Sequence, residues 1–346
     1  MLKPLWQVLL LAVVGAPSAT AQSPTFEFDD DTTDWVPLDP PEPGSDAAII
    51  ADARRLIASD EPKAARRLIN EWLDANERTS NPWLADAYLT RGDALVMLNR
   101  EFKALYDYET IITDFPESSA FIDALERELE IGTRYLNGLN RRWFGLFRIE
   151  DGKPVGEELL VRIQERVPGS ALAEQAAITL ADFYYQERDL ALAAEQYDIF
   201  VENFPESDYL AHAMERRVLA NVGRFKGPRY NGAGLIEARV LLDEYRDRFP
   251  LDAEAAGLNE ALSARLEESS AAQMLRTAEW YLDRGDAPAS RITTQRLLRM
   301  FPRTASAQRG LEMAEREGWT IPPSPAVDNA AQADTEAQDQ SAGGTP

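Results

Sequence analysis

The residue types that most often do acid–base or nucleophilic chemistry are scarce in this sequence. It has one histidine, His212, and no cysteine among its 346 residues. His212 lies in the helical pattern YLAHAMERRVLANVG, and no Ser or Cys nucleophile pattern surrounds it. We therefore interpret His212 as a packed or exposed helical residue and not as an acid–base group. The absence of cysteine excludes disulfides, thiolate metal ligands, a catalytic thiol and a lipid-bearing cysteine.

Acidic residues are plentiful, but their spacing does not predict a metal or cofactor site. The run 29–31 consists of three aspartates, yet the regular ligand spacing and turn glycine of a calcium loop are missing. Other paired carboxylates lie among Lys and Arg, as on a solvated helix surface. No glycine-rich phosphate loop occurs. We predict no catalytic residues, no metal and no cofactor.

Two Arg-Gly-Asp triplets, at 91–93 and 284–286, have structural explanations. The first falls inside a predicted helix, where Gly92 supplies a small contact residue. The second forms the turn of the last predicted hairpin. We therefore do not interpret either triplet as an adhesion motif.

Basic and aromatic residues in two segments are the better candidates for a binding surface. Arg224, Lys226, Arg229 and Tyr230 lie in and beside the elongated turn GRFKGPRYNGAG, and Arg216 and Arg217 precede it. Arginine and aromatic residues are enriched in protein-interface hot spots. The alternative is that these basic residues pair with local acids.

The second such segment lies between two predicted helices. Trp143, Phe144 and Phe147 follow the basic residues Arg141 and Arg142. These aromatic residues are candidates for partner binding, with the alternative that they fill gaps between lengthened hairpins.

The helices that would carry these residues repeat along the chain. Residues 174–205 read as two amphipathic helices joined by the polar turn QERD. Ala193, Tyr197 and Phe200 lie at offsets of 0, 4 and 7, on one helical face. Pro205 ends the unit because proline lacks an amide donor. The small Ala193 allows the two helices to approach closely.

The offsets 0, 4, 7 and 12, with proline last, recur in four further places. Those sets are Ala104–Tyr108–Ile111–Pro116, Gly156–Leu160–Ile163–Pro168, Ala238–Leu242–Tyr245–Pro250 and Ser290–Thr294–Leu297–Pro302. The small residue, the large residue and the closing proline resemble the tetratricopeptide repeat (TPR). This resemblance implies an all-α fold of helical hairpins that stack into a right-handed superhelix, an α-solenoid, whose concave face binds peptides. In the 85–116 unit, Leu89 and Asp93 are among the residues predicted to face that groove, and an aromatic or apolar peptide is the expected ligand.

Residues 80–317 resemble a more specific family, the BamD (YfiO) repeat proteins of the outer-membrane β-barrel assembly machinery. The features in order are the segments FPESSA and FPESDY, the elongated turn GPRYNGAGLIEA, and a long helix before AEWYLDRGDAPAS. The resemblance implies protein partners, namely the periplasmic domains of a β-barrel insertase or unfolded barrel precursors. The chain departs from the family pattern because it has no lipidated cysteine after the signal peptide, so no lipid anchor is evident.

The ends of the chain differ in composition from the repeats. Residues 1–21 have a short apolar run and end in Ala-Thr-Ala, which predicts a cleaved signal peptide and no transmembrane span. Residues 22–44 predict an acidic, proline-rich disordered linker, and residues 321–346 a disordered tail. The repeat domain occupies 45–320, and its first helices are predicted at 46–58, after the N-cap Ser45, and at 62–76.

These observations favour a non-catalytic exported scaffold that lies in the periplasm or peripherally at the outer membrane. The formal charge of −23 repels phosphate backbones and anionic lipid, which argues against nucleic-acid binding. The leading hypothesis is a BamD-like role in barrel assembly. The alternative is a general periplasmic TPR interaction protein for cell-wall or secretion assemblies. An enzyme hidden in the repeats is the third hypothesis and the least favoured.

Overall fold

A computed structural model of the chain describes residues 25–29, 34–38, 41–143, 147–225, 227 and 233–320. The chain divides into two compact units, and the boundary lies between Ile111 and Ile112. The predicted signal peptide and C-terminal tail lie outside the described residues. The fold is an all-α array of TPR hairpins.

The first unit contains one strand pair and the first two hairpins. Its elements are β1 Thr25–Asp29, β2 Asp34–Leu38, α1 Asp46–Ala58, α2 Pro62–Asn76, α3 Leu84–Met97 and most of α4 Glu101–Asp114. The bounds of α1 and α2 confirm those predicted from the sequence. The strands were not expected, because composition predicts a disordered linker over 22–44. Instead β1 pairs antiparallel with β2, with Thr25 opposite Leu38 and Asp29 opposite Asp34.

The second unit contains the remaining helices and a second strand pair. Its elements after α4 are α5 Ala120–Leu136, β3 Arg141–Trp143, β4 Phe147–Glu150, α6 Lys153–Arg166, α7 Ala171–Gln186, α8 Leu190–Asn203, α9 Leu210–Gly223, α10 Ala233–Arg248, α11 Pro250–Ala255, α12 Glu260–Asp283, α13 Ala287–Met300 and α14 Ala305–Arg316. Successive helices pack as hairpins, α5 with α6, α7 with α8 and α12 with α13. Hairpins also pack on one another, through α6 with α7 and α8 with α9.

Local residues set where the helices begin. The side chains of Ser45, Ser170, Asp189 and Asp286 each accept a hydrogen bond from a backbone N–H of the first turn. A cap of this kind satisfies one of the amide donors that have no partner within the helix, and it contributes about 1 kcal/mol.

Tight hairpin turns share one backbone feature. Asp60, Asn99, Arg188 and Gly285 have φ of 60°, 55°, 65° and 79°, and each lies between the two helices of a hairpin. The left-handed conformation reverses the chain within a few residues. Asparagine, aspartate and glycine adopt it most readily, whereas Arg188 does so with more strain.

The closing prolines impose a common geometry on the residue before them. Val167, Phe204, Phe249 and Phe301 have φ between −129° and −132° and ψ between 51° and 63°. A residue that precedes proline is excluded from the helical region by the proline ring. This steric effect ends four helices at matching positions, which explains why the prolines stay in phase.

The residues at offsets 0, 4 and 7 form the core of every repeat. Ala104, Tyr108, Ile111 and their counterparts in the other four copies are buried, including the polar Ser290 and Thr294. At Gly156 the small contact residue has a clear reason, because an added Cβ would lie 2.8 Å from the backbone oxygen of Gly132. The periodicity read from the sequence therefore predicts the core correctly.

Two joints between repeats depart from the helical hairpin. After α5 the chain forms the antiparallel pair β3–β4, with Trp143 opposite Phe147, where the sequence predicted no strand. Between α11 and α12 the helix is broken at Gly257, which has φ of 71°, and α12 restarts after the N-cap Asn259. The long helix that the sequence predicts before AEWYLDRGDAPAS is α12, and this break precedes it.

Candidate partner-binding surface

A polar network joins the first helices of two neighbouring hairpins, α7 and α9. The hydroxyl of Tyr197 in α8 donates to Asp182 Oδ1 in α7 at 2.5 Å. His212 Nε2 in α9 lies 2.8 Å from the same oxygen. Asp182 is therefore the common partner of two side chains from two other helices.

Burial and hydrogen bonding set the protonation of this network. Burial works to raise the pKa of Asp182, but the hydrogen bonds from His212 and Tyr197 outweigh it, and the pKa lies below its ordinary value. Burial, reinforced by the Asp182 carboxylate, raises the pKa of Tyr197, so this phenol stays protonated. Tyr197 is fully buried and out of reach of a substrate. Within the described chain His212 contacts Asp182 and the Tyr197 ring.

The same pair of helices carries further polar and aromatic contacts. The guanidinium of Arg216 lies over the Tyr185 ring, 4.8 Å from its centroid. The Tyr209 hydroxyl lies 3.3 Å from Gln175 Oε1. These contacts, with the Asp182 network, make a half-exposed strip of hydrogen-bonding and aromatic side chains along α7 and α9.

Two arginines in and before the predicted basic turn have different environments. Arg217 is 7% exposed at its side chain and bridges Asp198 on α8, at 3.3 Å, and Glu244 on α10, at 2.7 Å. It therefore connects two hairpins, as the alternative interpretation expects. Arg224 is exposed and donates to the side-chain oxygen of Asn221 at 3.1 Å, with no carboxylate partner among the described residues.

The other candidate residues of the two aromatic and basic segments fall at the limits of the described chain. Trp143 and Phe147 lie opposite each other in the β3–β4 ladder. The structure describes their backbone only. Lys226, Arg229, Tyr230 and Phe144 lie outside the described residues. The structure thus places the ends of both segments without showing the surface they would form.

The two candidates on α3 have different environments. Leu89 is buried, at 7% exposure, and so packs inside the hairpins instead of lining an open groove. Asp93 is half-buried and accepts a hydrogen bond from the Tyr108 hydroxyl at 2.9 Å. Arg91 pairs with Asp107 of α4 at 2.6 Å. Both charged residues of the Arg-Gly-Asp triplet at 91–93 therefore contact side chains of α4.

Sequence reasoning missed the strip on α7 and α9. Its residues come from helices far apart in sequence, and only the spacing between Asp182 and Tyr197 repeats that between Asp93 and Tyr108. Among the described residues, no group of three or more His, Asp or Glu side chains could hold a metal ion. In the same part of the chain, no helix combines the length and apolar character that a membrane span requires.

One part of the chain matches a known protein family. Residues 157–321 match the YfiO family, described as an outer membrane lipoprotein. The matched region is slightly less than half of the chain and begins in α6. No curated protein matches. Among solved structures, the C-terminal part of a TPR repeat-containing protein from Cytophaga hutchinsonii is 15% identical, covers 76% of this chain and 99% of that chain, and has a TM-score of 0.24.

Proposed function

We propose that this chain is an exported, non-catalytic TPR scaffold that binds a protein partner in outer-membrane β-barrel assembly. The observation that carries the proposal is the match of residues 157–321 to the YfiO family, over a region folded as TPR hairpins. Stacked hairpins present long surfaces with many side chains, which suits the binding of extended or folded polypeptides.

We further propose that the contact uses the turn after α9 and the β3–β4 turn. Arg224 supports this choice because, unlike Arg217, no described carboxylate neutralises it. Arg229, Lys226 and Tyr230 would extend the same surface. Trp143, Phe144 and Phe147 would supply the apolar contacts at the other turn.

Crosslinking in envelope fractions tests the proposal. Cells that produce the tagged chain are treated with a short amine- or photo-reactive crosslinker, extracted in mild detergent, and the crosslinked partners are identified by mass spectrometry. We expect partners of the barrel-assembly machinery in a membrane-associated fraction. A purely soluble periplasmic pool crosslinked to cell-wall or secretion components would favour the general interaction protein instead. Recovery of the free monomer alone would contradict both.

Charge reversal tests the assigned surface. We expect Arg224→Glu with Lys226→Glu and Arg229→Glu to abolish the crosslinks while helical content, measured by circular dichroism, stays unchanged. The matched control reverses three exposed arginines near the C-terminal hairpin, Arg296, Arg299 and Arg303. Equal loss in both variants would show an effect of net charge and not of this surface.

A further inference from the structure

The first unit contains a cavity lined by more positive than negative groups, although the chain as a whole is strongly acidic. The cavity measures about 350 Å³ and lies between α2, α3 and α4. Arg66 and Asn70 reach it from α2, and Arg91 from α3. Lys103 and Asp107 reach it from α4. It therefore combines three cationic side chains with one carboxylate.

The one carboxylate in the cavity is already neutralised. Asp107 accepts two hydrogen bonds from Arg91, at 2.6 Å and 3.0 Å. Burial raises the pKa of Asp107, and the guanidinium of Arg91 only partly offsets that effect. Arg91 also lies 3.5 Å from the side-chain oxygen of Asn70, which leaves the amide group of Asn70 as a donor. The remaining charge of the cavity is that of Arg66 and Lys103.

Arg66 and Lys103 have no ion-pair partner in the part of the chain that the structure describes. The Nε atom of Arg66 is buried and has no hydrogen-bond acceptor there. A buried donor without an acceptor is destabilising, and an anion in the cavity would accept its hydrogen bond. Lys103 is exposed at the rim, where its ammonium group can follow an incoming charge.

An aliphatic and an aromatic side chain also line the cavity. Leu95 of α3 and Tyr106 of α4 line the cavity, and the Tyr106 side chain is 64% exposed. An exposed aromatic ring beside two cations suits a ligand that carries an apolar group next to its anionic group. Inorganic anions lack such a group, and the charge of −23 opposes approach to an anionic membrane.

We propose that this cavity binds a carboxylate of a partner polypeptide that lies next to an aromatic or aliphatic side chain. Arg66 and Lys103 hold the carboxylate, and Leu95 and Tyr106 hold the neighbouring apolar side chain. The Arg91–Asp107 pair keeps the floor of the cavity in place. This inference deepens the proposed scaffold function by assigning a ligand chemistry to a site in the first unit, away from the two turns.

Peptide binding to the purified chain tests the site. The probe is fluorescently labelled Gly-Ser-Glu-Phe-Ser-Gly with an amidated C-terminus, followed by fluorescence anisotropy. We expect replacement of its Glu by Gln to weaken binding at least about tenfold, because charge-assisted hydrogen bonds are lost. A third peptide, Gly-Ser-Gln-Phe with a free C-terminal carboxylate, shows whether the carboxylate comes from a side chain or a chain end. Equal binding of the Glu and Gln amides, without tighter binding of the third peptide, would overturn the proposal.

Variants of the chain separate the cavity from general charge effects. Arg66→Gln with Lys103→Gln is expected to weaken binding of the preferred carboxylate peptide about tenfold. The matched control, Arg296→Gln with Arg299→Gln, removes the same charge elsewhere and should leave binding unchanged. Tyr106→Ala should weaken binding roughly threefold, since the ring contributes apolar contact area. Equal effects of the two double variants would overturn the assignment, provided that circular dichroism shows both to be folded.

One result distinguishes this inference from the proposed function. Peptide binding is measured without envelope partners, so it can succeed even where the crosslinking experiment finds no barrel-assembly component. Vesicles of phosphatidylglycerol provide the lipid arm. If they bind the chain, and Arg66→Gln with Lys103→Gln reduces that binding but not peptide binding, the cavity recognises a headgroup and the proposal is wrong.

Discussion

Two repeats of this chain use the same tyrosine–aspartate contact in different surroundings. In the α3–α4 hairpin Tyr108 donates to Asp93, and in the α7–α8 hairpin Tyr197 donates to Asp182. In both pairs the two residues lie 15 positions apart. In both hairpins the buried tyrosine hydroxyl donates to a carboxylate on the first helix of its own hairpin.

The residues next to this contact differ between the two repeats. The first repeat has Arg91 and Asp107 immediately before Gly92 and Tyr108, and they form a partly buried ion pair. The second has Leu180 and Gln196 at the corresponding positions, before Ala181 and Tyr197. A buried leucine and a half-buried glutamine thus stand where the first repeat has an ion pair. The repeat therefore accepts either an ion pair or uncharged side chains at these two positions. In the first repeat, the charged side chains also line the cavity described above.

The largest expected effect comes from giving the first repeat one residue of the second. Arg91→Leu should lower the free energy of unfolding by about 3 kcal/mol, because Asp107 would be left buried without a countercharge. Arg91→Leu with Asp107→Gln recreates the pair of the second repeat and should recover most of that loss. Urea denaturation measures both. A double variant no more stable than the single one would show that the ion pair is not the relevant difference.

A smaller effect is expected from exchanging the small contact residues. A Cβ added at Gly92 would lie 2.4 Å from Cε1 of the buried Tyr108 ring. Gly92→Ala should therefore destabilise the chain by about 1–2 kcal/mol, because overpacking outweighs the better helix propensity of alanine. The reciprocal control, Ala181→Gly, should also destabilise, by about 1 kcal/mol, since glycine is the poorer helix former. A more stable Gly92→Ala variant would contradict the close approach of α3 and α4.

The smallest effect concerns acid titration, where the two repeats should behave in opposite ways. The pKa of Asp182 lies below its ordinary value of 3.8, so its stabilising contribution is present above pH 3.8 and is lost as the pH falls through the folded-state pKa. The pKa of Asp107 lies above 3.8, so stability falls as the pH rises from 3.8 through the folded-state pKa. Carboxyl NMR titration measures both values. Shifts of the same sign would contradict the comparison.

Much of the fold could be predicted because its causes are local. The core positions Tyr108 and Tyr197 follow from helical periodicity, and Pro205 marks a helix end through the steric effect on the residue before it. The cap at Ser45 and the turn before Leu190 are equally local. The strand pairs were missed because a short ladder depends on contacts between segments and has weak periodicity over three to five residues.

The candidate site was harder to predict for the same reason. Arg217 is paired because carboxylates from two other helices reach it, whereas Arg224 contacts only an amide oxygen among the described residues. The sequence does not show this difference. Leu89 was expected in the groove because a helical pattern identifies a face without showing what covers it. The Arg66 cavity has no sequence signature, since its walls come from three helices.

The sequence by itself determined that this chain is built of helical hairpin repeats, since five repeats carry their own apolar stripe and closing proline. Only the tertiary structure decided which charged side chains neutralise one another and which remain available. Electrostatic pairing depends on distances of a few ångströms between residues that are far apart in sequence. For this protein, that pairing separates the ionised residues that hold the hairpins together from those we propose to bind a partner.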